Sequence, residues 1–177
     1  MRDYRSEDER ILTVGTDRFV LRPIRPQDRL AYASFIDGIN ASDLRRRFFH
    51  RDGLSPQIDF ERCVSVDDQN EAAFVAVRES QGYEEIVGEA RLQRYPESAA
   101  AELAIIVRSD MHRRGLGRAL MQRALEYCAF HRLEVIAQIL SDNEAMIGLA
   151  KSVGMEVEHT PGSDLAIAHM RTVGAEP

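Results

Sequence analysis

The 177-residue chain has little of several things that would place it at once. It has two cysteines, Cys63 and Cys128, both in contexts that suggest core packing. That excludes a disulfide-built framework and points to a cytoplasmic setting. No apolar run approaches the roughly 20 residues of a membrane-spanning helix. The first ten residues are mostly charged or polar and carry no secretory signal pattern. Basic residues are outnumbered, 23 Lys and Arg against 29 Asp and Glu, for a formal net charge of -6. Nucleic acid is therefore not the main partner, because gripping a phosphate backbone needs a dense basic surface. The five histidines show no metal-ligand spacing, and no metal is expected. There is no internal repeat, linker or low-complexity tract.

What remains is an ordinary globular composition, 44% hydrophobic and 29% charged, long enough for one domain with a core. Residues 1–10 read as a polar, flexible tail and 11–177 as a single domain. Ile11–Val14 and Phe19–Ile24 flank Gly15-Thr16-Asp17 as a hairpin. Pro26 stands in the first turn of a helix carrying Leu30, Tyr32, Phe35 and Ile36. Ser42 is placed to cap a short helix through Phe49, and Ser55-Pro56 to open another to about Ser65. Strands are expected at Ala72–Val77, Ile86–Tyr95, Leu103–Val107 and 134–140, with helices at 115–131 and 143–152. Glu156–His159 and Leu165–Thr172 close the chain as a strand pair. The expectation is a single α/β domain with a mixed sheet, its first half antiparallel and a strand–helix–strand unit after the glycine turn.

His112-Arg113-Arg114-Gly115-Leu116-Gly117-Arg118 lies between an apolar strand and an amphipathic helix. A glycine turn there aims unpaired backbone N–H groups at one point, at the positive end of a helix dipole. Its natural occupant is a phosphate or pyrophosphate. Two familiar nucleotide patterns do not fit. The chain has no Gly-x-x-x-x-Gly-Lys-Ser/Thr stretch, and Gly115-Leu116-Gly117 is followed by Leu120 where a dinucleotide turn needs its third glycine.

The turn resembles the Gln/Arg-x-x-Gly-x-Gly/Ala motif that binds acetyl-CoA in the Gcn5-related N-acetyltransferases, the GNAT family, with His112 at the first position. Ser141-Asp142-Asn143-Glu144-Ala145-Met146 is similar to the segment that opens the family's next helix. Leu149 and Val153-Gly154-Met155 are similar to that helix's ending. Leu21-Arg22-Pro23-Ile24-Arg25-Pro26-Gln27-Asp28 looks like the family's opening strand and helix. Ser42-Asp43-Leu44-Arg45-Arg46-Arg47-Phe48-Phe49 and Ala101-Glu102-Leu103-Ala104 resemble the acetyltransferase domain of bacterial Pat-type protein lysine acetyltransferases. The resemblance covers about residues 17–172 and implies a mixed central sheet of six to seven strands with helices on both faces and a splayed central strand.

The resemblance implies an enzyme that moves acetyl from acetyl-CoA directly to an amine, a protein lysine first and a small amine second. A non-catalytic acyl-CoA sensor is the alternative of another class. It implies Glu102 as the general base. It also implies a donor site made of Ile105, Val107, Arg113, Arg114, Gly115, Leu116, Gly117, Arg118 and Asn143. The partners expected are acetyl-CoA and the acceptor, with no nucleic acid or membrane, in a monomer or homodimer. Many members carry a tyrosine where Ala150 stands, to protonate the leaving thiolate. Cys128 falls on the apolar face of helix 115–131, where packing outweighs a covalent acetyl-cysteine role.

Overall fold

The computed structural model describes residues 9–48, 59–80, 82–159 and 161–171. The expected tail therefore lies almost wholly outside the described residues, as do the helix start at Ser55-Pro56 and the end of the last strand. Arg10–Val14 (β1) and Asp17–Pro23 (β2) form the hairpin, with Gly15 at φ 61 in its turn. A 3-10 turn at Pro26–Asp28 leads into Arg29–Asp37 (α1). Ala41–Phe48 (α2) begins earlier than Ser42 would have placed it, because Asn40 Oδ1 accepts from the Asp43 N–H at 2.8 Å and does the capping. Phe60–Val64 (α3) is capped by Asp59.

Glu71–Ser80 (β3), Tyr83–Arg94 (β4) and Ala100–Val107 (β5) then run as an antiparallel meander. Leu116–His131 (α4) crosses over to Glu134–Leu140 (β6), which lies parallel to β5. Glu144–Ser152 (α5), Glu156–His159 (β7) and Leu165–Met170 (β8) complete the order. The eight strands of the described residues join one sheet in the order β1-β2-β3-β4-β5-β6-β8-β7, more than the six to seven expected.

Alternation along β3 sends Ala72, Phe74 and Ala76 to one face and Ala73, Val75 and Val77 to the other. The first face packs under α4 and α5, with Leu120, Met121, Ala124 and Cys128 among its fully buried members. The second packs under α1 and α3, around Tyr32, Phe35 and Ile36. Helices thus cover both faces, as expected. No helix among the described residues is long and apolar enough to cross a membrane.

The second face also buries charge. Arg22 forks onto Asp28 with two bonds of 2.8 Å, and Asp28 takes a third from the Arg25 N–H at 2.7 Å. On β4, Arg91 bonds Glu89 at 2.7 Å, and Glu89 accepts from the Tyr32 hydroxyl at 3.0 Å. Glu71 is held by Arg62 and Arg91. These bonds tie α1 and α3 to the sheet where apolar packing alone would leave their register loose. Removing one partner of such a pair strands the other. Arg22→Met is expected to cost about 3–5 kcal/mol, read as a lower urea midpoint. An unchanged midpoint would mean that the pair adds nothing net.

Candidate functional site

The site begins with a strand that loses its neighbour. β5 pairs with β4 along its whole length, from Ala101 to Val107. With β6 it pairs only at Ala100, Ala101 and Glu102. Beyond Glu102 the two strands part. The Arg108 N–H donates to the Val87 carbonyl at 2.9 Å, so ladder alternation turns the backbone groups of Leu103, Ile105 and Val107 the other way, into the gap. One of them already has a partner: the Val107 carbonyl accepts from His112 Nε2 at 2.9 Å. A carbonyl only accepts, so that nitrogen carries the proton. The expected splayed central strand is this fork.

The gap is a cavity of about 560 Å³. On the α4 side it is lined by Arg113, Leu116 and Gly117 of the turn, by Asn143 at the cap of α5 and by Met146 and Leu149 along that helix. Gly115 caps α4 in the left-handed region at φ 78, and Arg113 is there too at φ 61. This leaves the first N–H groups of α4 without carbonyls behind them. Gly117 serves closeness rather than φ: a Cβ there would sit 3.3 Å from Leu149 Cδ2, a tight contact that Leu149 would have to ease. Asn143 caps α5, its Oδ1 accepting from the Met146 N–H at 3.2 Å.

On the other face the lining comes from Glu102, Ala104 and Ile106 of β5 and Asp43, Arg46 and Arg47 of α2. Glu102 stands at the fork itself, in the last residue pair shared with β6. Its Oε2 accepts from the Tyr95 hydroxyl at 2.9 Å. Asp43 is held by Ser109 Oγ at 2.6 Å, and His112 approaches it at 3.7 Å.

Of the residues singled out in the sequence, Glu102, Ile105, Val107, Arg113, Leu116, Gly117 and Asn143 meet around this one cavity. Arg114, Gly115 and Arg118 do not line it. Arg114 is drawn to Asp17 of β2, and Arg118 donates to Ser152 Oγ at 3.0 Å. Their guanidinium groups follow these partners, and Gly115 contributes through its backbone alone. Tyr95 and Gln138 were missed. Gln138 gave a signal, as a polar residue inside the apolar run of β6; Tyr95 gave none, because its bond to Glu102 is a tertiary contact. Cys128 is fully buried, and burial pushes its thiol up to about 12.

A model of the acetyltransferase (GNAT) family matches residues 40–155, which hold every lining residue from Asp43 to Leu149. Acetyltransferase PA5475 of Pseudomonas aeruginosa is 23% identical over 151 residues, covering 85% of this chain and 81% of that protein. The GNAT domain of S. lividans PAT superposes with a TM-score of 0.79 at 18% identity, over 92% of this chain and 96% of that one. Spermidine N-acetyltransferase from Vibrio cholerae, solved with CoA and spermine, superposes with a TM-score of 0.65 at 18% identity, over 88% and 96%.

Two outcomes follow from the geometry alone. Gly115→Ala puts a Cβ on a left-handed backbone and is expected to cost about 1–2 kcal/mol, read in thermal unfolding. Cys128 is an acid whose folded value is raised from 9.0 to about 12, so the folded thiol stays neutral while the unfolded one ionises. Stability contributed below pH 9 should therefore fall away as pH climbs from 9 towards 12. An alkylating reagent at pH 8 is expected to leave Cys128 unlabelled until the protein is unfolded, as peptide mapping would show.

Proposed function

The chain belongs to the acetyltransferase (GNAT) family, and on that premise we propose that it transfers acetyl from acetyl-CoA to an amine, with a protein lysine as the acceptor. Residues 11–177 are read as one catalytic domain. The observation that carries the reading is the opening of the sheet just past Glu102. It is a through-cleft, with a helix N-terminus at one mouth and a carboxylate at the other.

Acetyl-CoA supplies the activated acetyl group as a thioester. The residues present fit such a donor. The free backbone edge of β5 at Ile105 and Leu103 suits the amides of the pantetheine arm as a strand-like partner. The turn Arg113 to Gly117 suits the pyrophosphate, through backbone N–H groups and the charge of Arg113. Met146 and Leu149 supply apolar wall, and Asn143 keeps its amide NH₂ for the donor while its oxygen caps α5.

The acceptor enters from the face of Glu102. A free lysine titrates near 10.4, so roughly one in a few thousand is neutral at pH 7. Glu102 takes the proton, directly or through water. The neutral amine nitrogen then bonds to the acetyl carbon, the C–S bond breaks with its electron pair on sulfur, and the nitrogen's second proton passes to the thiolate or to water, leaving the amide and free CoA. A β5 backbone N–H facing the cleft is positioned to serve the carbonyl oxygen as it gains charge.

Two features support a protein lysine: the Pat-like segments around α2 and Glu102, and the fold shared with the PAT domain. A small amine is the second reading, favoured by the fold shared with the spermidine enzyme. A thiol-release assay across proteins and small amines separates the two. Binding of CoA without turnover on any acceptor would instead point to a sensor. Glu102→Gln is expected to lower kcat by about 10²–10⁴-fold with little change in KM for acetyl-CoA. Full activity of that variant across pH would remove Glu102 from the role of base.

A further inference from the structure

The geometry points to Tyr95 as the positioning residue that holds Glu102 in the mouth of the fork, a role that rests on the reading of Glu102 as the base. Tyr95 lies just past the end of β4. Its own backbone is fixed, with its N–H donating to the Ala100 carbonyl at 3.0 Å and its carbonyl accepting from Ser98 at 3.2 Å. Its hydroxyl reaches Glu102 Oε2 at 2.9 Å. The side chain of Gln138 on β6 lies close to the same hydroxyl.

The register makes these contacts coherent. Glu102 pairs with Ile136 across the last rung of the β5–β6 ladder. Gln138 is two residues further along β6, so it shares the face of Glu102. Tyr95 thus holds the β5 arm of the fork and stands beside the β6 arm at the point where they separate. A carboxylate at a sheet opening has several rotamers and solvent to choose from. A phenol donating to one oxygen removes that freedom and leaves Oε1 as the oxygen that takes the proton.

Tyr95 keeps its own proton while it does this. Burial and then the neighbouring Glu102 raise its hydroxyl above the ordinary tyrosine value, so it remains a donor throughout the neutral range. Gln93, opposite Glu102 on β4, and Gln138 are neutral. Among the described residues, the charged groups lining the cavity on this face are Asp43, Arg46 and Arg47 of α2. The phenol is therefore the donor whose loss Glu102 should feel most directly.

The test is Tyr95→Phe beside Glu102→Gln and the double variant, each assayed for kcat, for KM of acetyl-CoA and for the pH profile. The phenylalanine variant is expected to lower kcat about tenfold, the loss of one hydrogen bond to a charged group, with KM for acetyl-CoA unchanged. Losing a donor disfavours the carboxylate, so the acidic limb of the profile should move to higher pH. In the Glu102→Gln background the same change should have no further effect on kcat. Wild-type kcat with an unmoved acidic limb would overturn the proposal. A tenfold fall that persists in the Glu102→Gln background would also overturn it, because Tyr95 would then act through the fold. Full activity of Glu102→Gln alone would count against the base, not against the Tyr95 contact.

Discussion

A strand inside a sheet cannot part from its neighbour without exposing its hydrogen-bonding edge. Each N–H or C=O left without a partner away from water costs about 1–3 kcal/mol. β5 accepts this exposure from Leu103 to Val107, while its other edge stays fully paired with β4. The exposure is tolerable only if water or a ligand completes the edge, so the fork calls for an occupant of strand-like hydrogen-bonding character. It also fixes where that occupant lies, between the start of α4 and the start of α5. The rest of the site is arranged around this one unpaired edge.

The two sides of the fork are built differently. The α4 side belongs to the main core. Gly88 lets Leu120 close down on the sheet, where a Cβ would come within 2.9 Å of it, and Gly117 lets α4 meet Leu149. Leu116, Leu120 and Met121 are all but fully buried. On the other side, α2 has no buried residue. It is held by polar links, Ser109 to Asp43 at 2.6 Å and Arg45 to Asp142 at 3.0 Å, with Leu44 packed against the smaller core cluster. Exposed polar links open more easily than a packed helix face. On the proposed reading this asymmetry suits the chemistry. The donor is always the same molecule and meets a rigid wall, and the acceptor meets the wall that can adjust.

Strands and helices were legible in the sequence because each carries its own period and punctuation. β6 was read with its boundaries, between Leu133 and the Ser141-Asp142 break. The glycine turn was legible because it needs particular residues: a left-handed cap at Gly115 and a bare backbone at Gly117. What was not legible depends on which partners meet in space. Arg114 and Arg118 looked alike beside the turn, and only the fold brings Asp17 and Ser152 within their reach. Asn40, two residues before Ser42, caps α2 by accepting from the Asp43 N–H. The β5–β6 split itself leaves no mark on composition, since Leu103 to Val107 is as apolar as any paired strand.

The fork also bears on whether acetyl would pass through a covalent enzyme intermediate. Such a route needs a nucleophile in the cleft that is ionised near neutral pH. Cys128 is sealed in the core with its thiol near 12, and neither it nor Cys63 lines the cavity. Burial raises the Cys63 thiol as well. Ala150, where the resemblance sets the tyrosine common in the family, is fully buried on the inner face of α5 and offers no proton to a leaving group. A thiol leaving group titrates near the cysteine value of about 8.5, so it departs as thiolate with little help, whereas the attacking ammonium must lose a proton before it can react at all. On the proposed reading the demand for a proton-handling group falls on the acceptor side of the fork, where Glu102 stands with the Tyr95 hydroxyl on its Oε2. On that same reading the two reactants meet from opposite faces of the sheet opening, and direct attack is the route such an arrangement serves.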